Sequence, residues 1–515
     1  MSVQQQKLRQ FSYLSPHIEL VSAARNREIM LSEDARAAVD SELLARARNY
    51  CPEKFSCRNF KINPRGPKFI IGVFALFSLI IAFPITCLLI TMSWILLASI
   101  ATTILRVSAI IAAKLARPLP SFLETSMSPT AQSKPRVTLL IPLFHEGQVL
   151  SKLIKSLDNL DYPNDLLEIK LLLEEVDDTT AAVLSSIDLP SHMQVLTVPK
   201  DWLQTKPKAM NYALPFCTGD IIGIYDAEDA PEPDQIKKVV NHFMHAPANV
   251  ACVQGNLDFY NSRENWMARC FTIDYAMWFR VLLKGIQTLG IPIPLGGTTI
   301  FFRRNVLIEI GGWDAHNVTE DAELGMRLAR FGYKCEMIDS TTWEEANCVP
   351  ISWVRQRSRW LKGYAMTWAS HMRSPIELWR DLGPKGFIGF QVIMLSGLTS
   401  HLSAPLFLCL WLSSFGLPIV PIAELPTAYW YFFIGVMIIG ECAMLIVASM
   451  ALWNRRKRHL FPYILALPFY WALGSLAAYK AMFEVVVAPF YWDKTSHGHT
   501  KPDQTLPDSY LSRIS

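Results

Sequence analysis

Three carboxylates follow a short apolar run in Asp220-Ile-Ile-Gly-Ile-Tyr-Asp-Ala-Glu-Asp229. In an open α/β sheet the carboxyl ends of the strands border the ligand crevice, so Asp226, Glu228 and Asp229 stand where a ligand would be met. With one residue between them, Asp226 and Glu228 reach a common hard cation through oxygen, as a metal bridging a diphosphate requires. An acidic turn would use the same residues, so this run alone does not decide between the two.

Two motifs further along the chain bear on the choice. Asn317-Val-Thr-Glu-Asp321 precedes an amphipathic run, which puts Asp321 near a helix N-terminus. There it is either an acid favoured by the helix dipole or a general base that takes a proton from a hydroxyl. Gln356-Arg-Ser-Arg-Trp360 falls on an expected helix just before a long apolar stretch. Planar guanidinium forks bind phosphate oxygens in pairs, and an indole offers a stacking surface to a sugar ring. A snorkelling basic helix at a membrane interface accounts for Arg355 and Lys362 but leaves the pentad unexplained.

Weaker signals stand at other turns. Ile141-Pro-Leu-Phe-His-Glu146 and Leu173-Glu-Glu-Val-Asp-Asp178 end the first two expected strands. Their acids suit a base or ribose edge, and Phe144 an apolar ring, although solvated loop acids would look the same. Lys206-Pro-Lys-Ala-Met-Asn211 brings cations to a helix start, where a diphosphate would be neutralised. Leu295-Gly-Gly-Thr-Thr299 permits close backbone approach to a ligand, or is a plain turn.

Apolar runs alternating with amphipathic ones must position these groups. Val137 to Pro142, Ile169 to Leu173, Gln194 to Val198, Asp220 to Tyr225 and Val250 to Val253 read as strands, with helices near Val149 to Leu160 and near Thr180. This β-α rhythm predicts an α/β domain with a mostly parallel sheet covered on both faces.

The 515 residues are 51% hydrophobic, and the excess is concentrated. Phe69 to Leu105 carries no charge, and extension to Ala113 gives room for two spans of about 20 residues joined by a turn between Pro84 and Trp94. Phe387 to Phe415, Ala428 to Trp453 and Leu460 to Val487 form a second block. The expected organisation is an N-terminal cytosolic segment (1–67), a helix pair (68–116), an α/β domain reached through a Pro-rich linker (117–385), a C-terminal membrane block (386–490) and a cytosolic tail (491–515). Basic residues at Arg65, Lys68, Lys114, Arg117 and Arg455 to Arg458 place the α/β domain in the cytosol of an inner or plasma membrane protein. Pro462, Pro468, Gly474, Lys480 and Glu484 make the last apolar segment a re-entrant or interfacial helix, which leaves Trp492 and Lys494 cytosolic. The formal charge of +4 fits membrane flanks better than nucleic acid, and ten cysteines without a Cys-x-x-Cys pair read as reduced thiols.

Asp226-Ala-Glu228, Thr319-Glu-Asp321 and Gln356-Arg-Ser-Arg-Trp360, in this order between apolar blocks, resemble the motif series of membrane-embedded family 2 glycosyltransferases, the group of bacterial cellulose, chitin and hyaluronan synthases. The resemblance covers roughly residues 65–500. It implies a GT-A (Rossmann-like) catalytic fold, a nucleotide-diphosphate sugar donor, Mg²⁺ or Mn²⁺, and inversion at the anomeric carbon with Asp321 as base beside Glu320. It sets Phe144, Glu146 and Glu175 at the nucleoside; Lys208, Asp226, Arg357 and Arg359 at the diphosphate; Asp226 with Glu228 or Asp229 at the metal; and Gln356, Trp360, Gly297 and Thr298 at the acceptor. Trp492, Lys494 and Thr495 resemble a segment that closes over the donor. The donors implied are UDP-glucose or UDP-N-acetylglucosamine, and the acceptor a growing β-linked polysaccharide or a lipid-linked oligosaccharide. The sequence departs from the family pattern in carrying Glu228 instead of Asp and Glu174-Glu175 instead of Asp-Asp, with Asp177 and Asp178 nearby.

Overall fold

A computed structural model describes residues 33–115, 134–417, 426–453 and 455–493. Most of the expected linker, together with Lys494 and Thr495, lies outside them. The chain begins with α1 (Glu33–Asn49), then α2 (Pro67–Ala82) and α3 (Pro84–Leu115). The turn expected between Pro84 and Trp94 is instead a single break at Phe83 (φ −135°, ψ 58°), after which α3 runs 32 residues unbroken. A residue before proline is driven out of the helical region, while proline itself suits the first helical turn.

The α/β domain alternates strand and helix. Its strands are β1 (Val137–Leu143), β2 (Leu167–Glu174), β3 (Met193–Val198), β4 (Ile221–Ile224), β5 (Ala230–Pro231), β6 (Val250–Phe259), β7 (Ile300–Arg303) and β8 (Lys334–Glu344). Between them lie α4 (Leu150–Asp158), α5 (Asp178–Ser185), α6 (Lys206–Ala213), α7 (Gln235–His245), α8 (Trp266–Met277), α9 (Leu283–Thr288), α10 (Arg304–Glu309) and α11 (Glu320–Arg330). The sheet order is β3-β2-β1-β4-β7-β6-β8-β5. The first four strands are mutually parallel, whereas β7 runs antiparallel to both β4 and β6, so the sheet is mixed. β1 is buried along nearly its whole length, as an inner strand covered on both faces must be. In α4, Leu150, Leu153, Ile154 and Leu157 are buried at helical spacing and seal one face of the sheet.

After the domain come α12 (Pro350–His371), α13 (Pro375–Ser414), α14 (Thr427–Ala451) and α15 (Leu467–Val487). α13 bends at Gly383, whose φ is 66°. Among the described residues, four helical stretches are long and apolar enough to cross a membrane: Pro84–Leu115, Pro375–Leu410, Thr427–Ala451 and Lys457–Val487. Ile90, Leu97 and Ile104 of α3 are exposed while Met92 and Ile95 are buried, which is the pattern of a helix with one face to its bundle and one to lipid.

The last stretch differs from its sequence reading in one respect. Pro462 lies in a 3₁₀ stretch, Arg455–Ala466, that precedes α15, whereas within α15 Pro468 sits in the first turn and Lys480 is paired with Glu484 and, at 2.9 Å, with Asp493. Paired charges and a proline at a helix start leave the backbone ladder intact. α15 packs along α12: Trp353 Nε1 donates to Tyr470 Oη at 2.8 Å near one end, and Lys362 Nζ meets Glu484 at 2.9 Å near the other. The chain thus returns to the α/β domain, where the Arg359 guanidinium lies 4.6 Å from the Trp492 ring.

Candidate active site

The carboxyl ends of β1, β2 and β4, the loop before β7, the start of α11 and the middle of α12 surround one cavity of about 1380 Å³. Phe144, Glu146, Asp226, Glu228, Gly297, Thr298, Glu320, Asp321, Gln356, Arg357, Arg359, Trp360 and Trp492 all line it. Residues separated by more than 340 positions therefore meet because strand ends, a helix start, the loop before β7, the middle of α12 and the segment after α15 converge on one side of the sheet.

Asp226 follows β4 directly. Its carboxylate is paired with Lys206 Nζ, which also donates to the Gly297 carbonyl at 2.8 Å. Lys206, not Lys208, is the lysine that lines this cavity. The helix places Lys208 inward, fully buried against Glu174 at 2.9 Å. Glu174 accordingly reaches the cavity wall, whereas Glu175 turns away and accepts from the Lys200 amide at 2.7 Å. Strand alternation at the end of β2 separates the two acids. Asp177 is committed to capping α5, where it accepts from the Thr180 amide at 3.0 Å; these hydrogen bonds hold its carboxyl below the usual range despite burial.

Asp229 does not line the cavity. It is 2% exposed and accepts from the Asp226 amide at 2.8 Å and from the Thr298 hydroxyl. It thereby fixes the turn that presents Asp226 and Glu228. Thr298, itself buried, serves the same turn. Among the described residues no cluster of three or more His, Cys, Asp and Glu side chains could hold a metal alone. Two cavity carboxylates nevertheless fit a hard divalent cation whose shell is completed by phosphate oxygens and water.

Glu320 and Asp321 open α11. Close packing sets them: a Cβ on Gly363 of α12 would fall 2.1 Å from Thr319 Oγ1, so only glycine lets the two helices meet here. The Thr319 amide donates to Asn317 Oδ1 at 3.0 Å, and Asn317 Nδ2 donates to Thr367 Oγ1 at 2.9 Å. Burial pushes both carboxyls up. Glu320 reaches about 8, raised also by the charge of Asp321 and opposed by Lys206. Asp321 is raised by burial against backbone hydrogen bonding and the charges of Lys206 and Arg359.

The two arginines of the Gln356 to Trp360 motif divide. Arg357 lines the cavity, but its guanidinium is paired with Asp274, accepted by Tyr470 Oη at 3.2 Å and set against the rings of Trp353 and Trp360. It ties α12 to α8 and α15. Arg359 faces the acid pair and Trp492, and its Nε is buried without a hydrogen-bond partner. Trp360 lies tilted beside Phe271 and Tyr275, with ring centroids 6.2 Å from each.

The cavity does not stop at the α/β domain. It continues between α3, α13, α14 and α15, where Thr102, Arg106, Ser400, His401, Glu441 and Trp471 line it. The charge-free run from Phe69 to Leu105 ends one residue before Arg106, and Glu441 is hidden in an apolar run. Their placement inside helices long enough to cross a membrane is the signal that would have singled them out.

The site is thus a mixed α/β domain with acids, a lysine and an arginine at one cavity, flanked by apolar helices. Residues 135–363 match the family model described as "Glycosyltransferase like family 2", and the chain carries a family 2 glycosyltransferase domain. It is 29% identical over 233 residues to "Probable glycosyltransferase YdaM" of Bacillus subtilis, covering 44% of this chain and 55% of that protein. Over 236 residues it is 28% identical to a "Beta-monoglucosyldiacylglycerol synthase" of Nostoc sp., covering 45% and 49%. Over 293 residues it is 24% identical to "Probable glucomannan 4-beta-mannosyltransferase 1" of Arabidopsis thaliana, covering 54% and 51%. The chain thus spans about half the length of the curated relatives it matches. Among solved structures, the mannosyltransferase PcManGT from Pyrobaculum calidifontis, in complex with GDP-Man and Mn²⁺, aligns at 18% identity and a TM-score of 0.47, covering 76% of this chain and 99% of that one.

Proposed function

We propose that the chain is an inverting glycosyltransferase of an inner or plasma membrane, with its catalytic domain in the cytosol. It adds sugar from a nucleotide-diphosphate donor, UDP-glucose or UDP-N-acetylglucosamine, to a growing β-linked polysaccharide. The observation that carries this reading is the single cavity running from Asp321 and Asp226 into the helix bundle. The lining of its membrane arm favours a glycan over a lipid tail. Arg106, Glu441, Ser400 and Thr102 offer hydrogen bonds to sugar hydroxyls and Trp471 a ring face, whereas an acyl chain would leave those polar groups unsatisfied.

The chemistry needs few parts. Phe144 and Glu146 border the nucleoside, and Lys206 and Arg359 bind the diphosphate. Asp226 and Glu228 would hold Mg²⁺ or Mn²⁺, which when bound supplies positive charge to the departing oxygens. Asp321 accepts the proton of the acceptor hydroxyl; that oxygen bonds to the anomeric carbon from one face as the bond to the diphosphate breaks on the other. The raised pKa of Asp321 suits a proton acceptor working near neutrality. Trp360 stacks on the acceptor, and Trp492 covers Arg359 against water. A second reading, one sugar transferred to a lipid-linked oligosaccharide, is favoured by the glycolipid synthase among the relatives.

Membrane vesicles given labelled UDP-glucose, UDP-N-acetylglucosamine and GDP-mannose in parallel test the proposal. A UDP-sugar should yield label in chains of many residues. Label confined to a lipid-extractable product bearing one added sugar would establish the second reading instead.

Glu320 adds a pH dependence. Because its carboxyl is raised to about 8, it is neutral below that pH and ionises above it, which sets a second negative charge beside Asp321 and the diphosphate. The donor KM should therefore rise as the pH passes through about 8, and Glu320→Gln should remove that rise while retaining turnover at pH 7. An unchanged alkaline limb in the variant would assign it to another group.

A further inference from the structure

Residues 33–59 precede every motif and their role is not legible in the sequence, yet they pack firmly on the segments around Tyr212, Trp313 and Asp314. Leu43, Leu44 and Ala47 of α1 are buried in the same core as Tyr212 of α6 and Trp313. Tyr212 Oη donates to Asp40 at 2.8 Å. The Asn211 carboxamide joins three segments: its Nδ2 donates to the Ala47 carbonyl at 2.9 Å and the Trp313 carbonyl at 2.8 Å, while its Oδ1 accepts from the Trp313 amide at 2.9 Å. Further along, Ser56 Oγ and the Cys57 amide both donate to buried Asp314 at 2.7 Å. A Cβ on Gly311, whose φ is +89°, would lie 2.6 Å from the Pro52 ring and 2.9 Å from the Tyr50 carbonyl oxygen, so the segment lies directly on this glycine.

At the end of α1, Arg48 Nη1 donates to Asp201 Oδ1 at 2.6 Å. The same oxygen accepts from the Trp202 amide at 2.8 Å, and the Arg48 guanidinium lies 5.9 Å from the Trp202 ring. Trp202 is 72% exposed and lines the cavity on the side of Phe144 and Glu174. Its ring is 6.1 Å from that of His316, which in turn meets Phe490 of the returning chain at 5.7 Å. An indole left this open at a cavity rim has a free face, and its own turn is held from outside the catalytic domain.

We propose that Trp202 is a stacking residue for the base of the nucleoside diphosphate and that Arg48, through Asp201, is the positioning residue that aims it. The amino-terminal segment thereby becomes part of the donor site. The inference rests on the glycosyltransferase reading, because it needs a nucleotide in the cavity.

Titration calorimetry of the detergent-solubilised full chain with UDP and with GDP, each with Mn²⁺, tests it. Trp202→Ala should weaken binding about tenfold, the typical effect of removing a base-stacking ring. Arg48→Ala should weaken it about fivefold, with far-UV circular dichroism unchanged. In the Trp202→Ala background, Arg48→Ala should add less than about twofold, since it acts through the missing indole. Arg48→Lys, which keeps a cation on Asp201 and leaves the acceptor of the Trp202 amide in place, should recover most of the loss. Binding by Arg48→Ala within twofold of wild type, or losses that multiply in the double variant, would overturn the inference while leaving the transferase reading intact. Failure of the wild-type chain to bind either nucleotide would remove both.

Discussion

Asp321→Asn should reduce sugar transfer at least about 100-fold, the usual contribution of a positioned general base, while nucleoside diphosphate binding stays within about twofold of wild type. The substitution keeps the shape of the side chain and its place at the start of α11, but an amide cannot accept the hydroxyl proton. Asp321 lines the cavity opposite Asp226, and the charges of Lys206 and Arg359 act on it. Turnover and nucleotide binding must be measured on the same preparation, because a collapsed site would lose both. A variant retaining more than a tenth of wild-type turnover would end the assignment of Asp321 as base. Glu320 provides an internal check: part of its raised pKa comes from the Asp321 charge, so its titration should move to lower pH in Asp321→Asn.

Five of the eight strands were legible as apolar runs ended by turn chemistry, while β5, β7 and β8 were not read; the acids at positions 226 and 321 were legible because one follows such a strand and the other opens an amphipathic helix. What was lost turned on which way a side chain faces over one or two residues. Lys206 and Lys208 both open α6, yet the helix turns one to the cavity and buries the other on Glu174. Glu174 and Glu175 part in the same way at the end of β2. Asp229 is separated from Glu228 by its hydrogen bonds to the Asp226 amide and the Thr298 hydroxyl, the second a contact between positions about 70 apart that no local pattern encodes. The antiparallel insertion of β7 between β4 and β6 was equally hidden, since strand direction depends on where the preceding helices deliver the chain. The amino-terminal segment shows the same limit: its contacts with Asp201, Asn211 and Asp314 are all more than 150 residues distant.

The two arginines of the Gln356 to Trp360 motif offer a sharper test than either alone, because they carry equal charge and differ only in what surrounds them. Arg357 already has its partners in Asp274 and Tyr470, so Arg357→Ala should break the joint between α8, α12 and α15 and lower the unfolding temperature. Arg359 instead stands over Trp492 at the cavity, where its charge acts on Glu320 and Asp321. Arg359→Ala should therefore leave the unfolding temperature near wild type and cut kcat about 10²–10³-fold, the scale of removing a preorganised donor from developing negative charge. Arg359→Lys should recover little of that loss, since an ammonium keeps the charge but cannot present two parallel N–H groups to the diphosphate. Measured side by side, kcat and unfolding temperature should move in opposite patterns for the two positions. Full rescue by lysine at 359 would show that a point charge suffices there, and the diphosphate would then be held chiefly by Lys206 and the cation at Asp226.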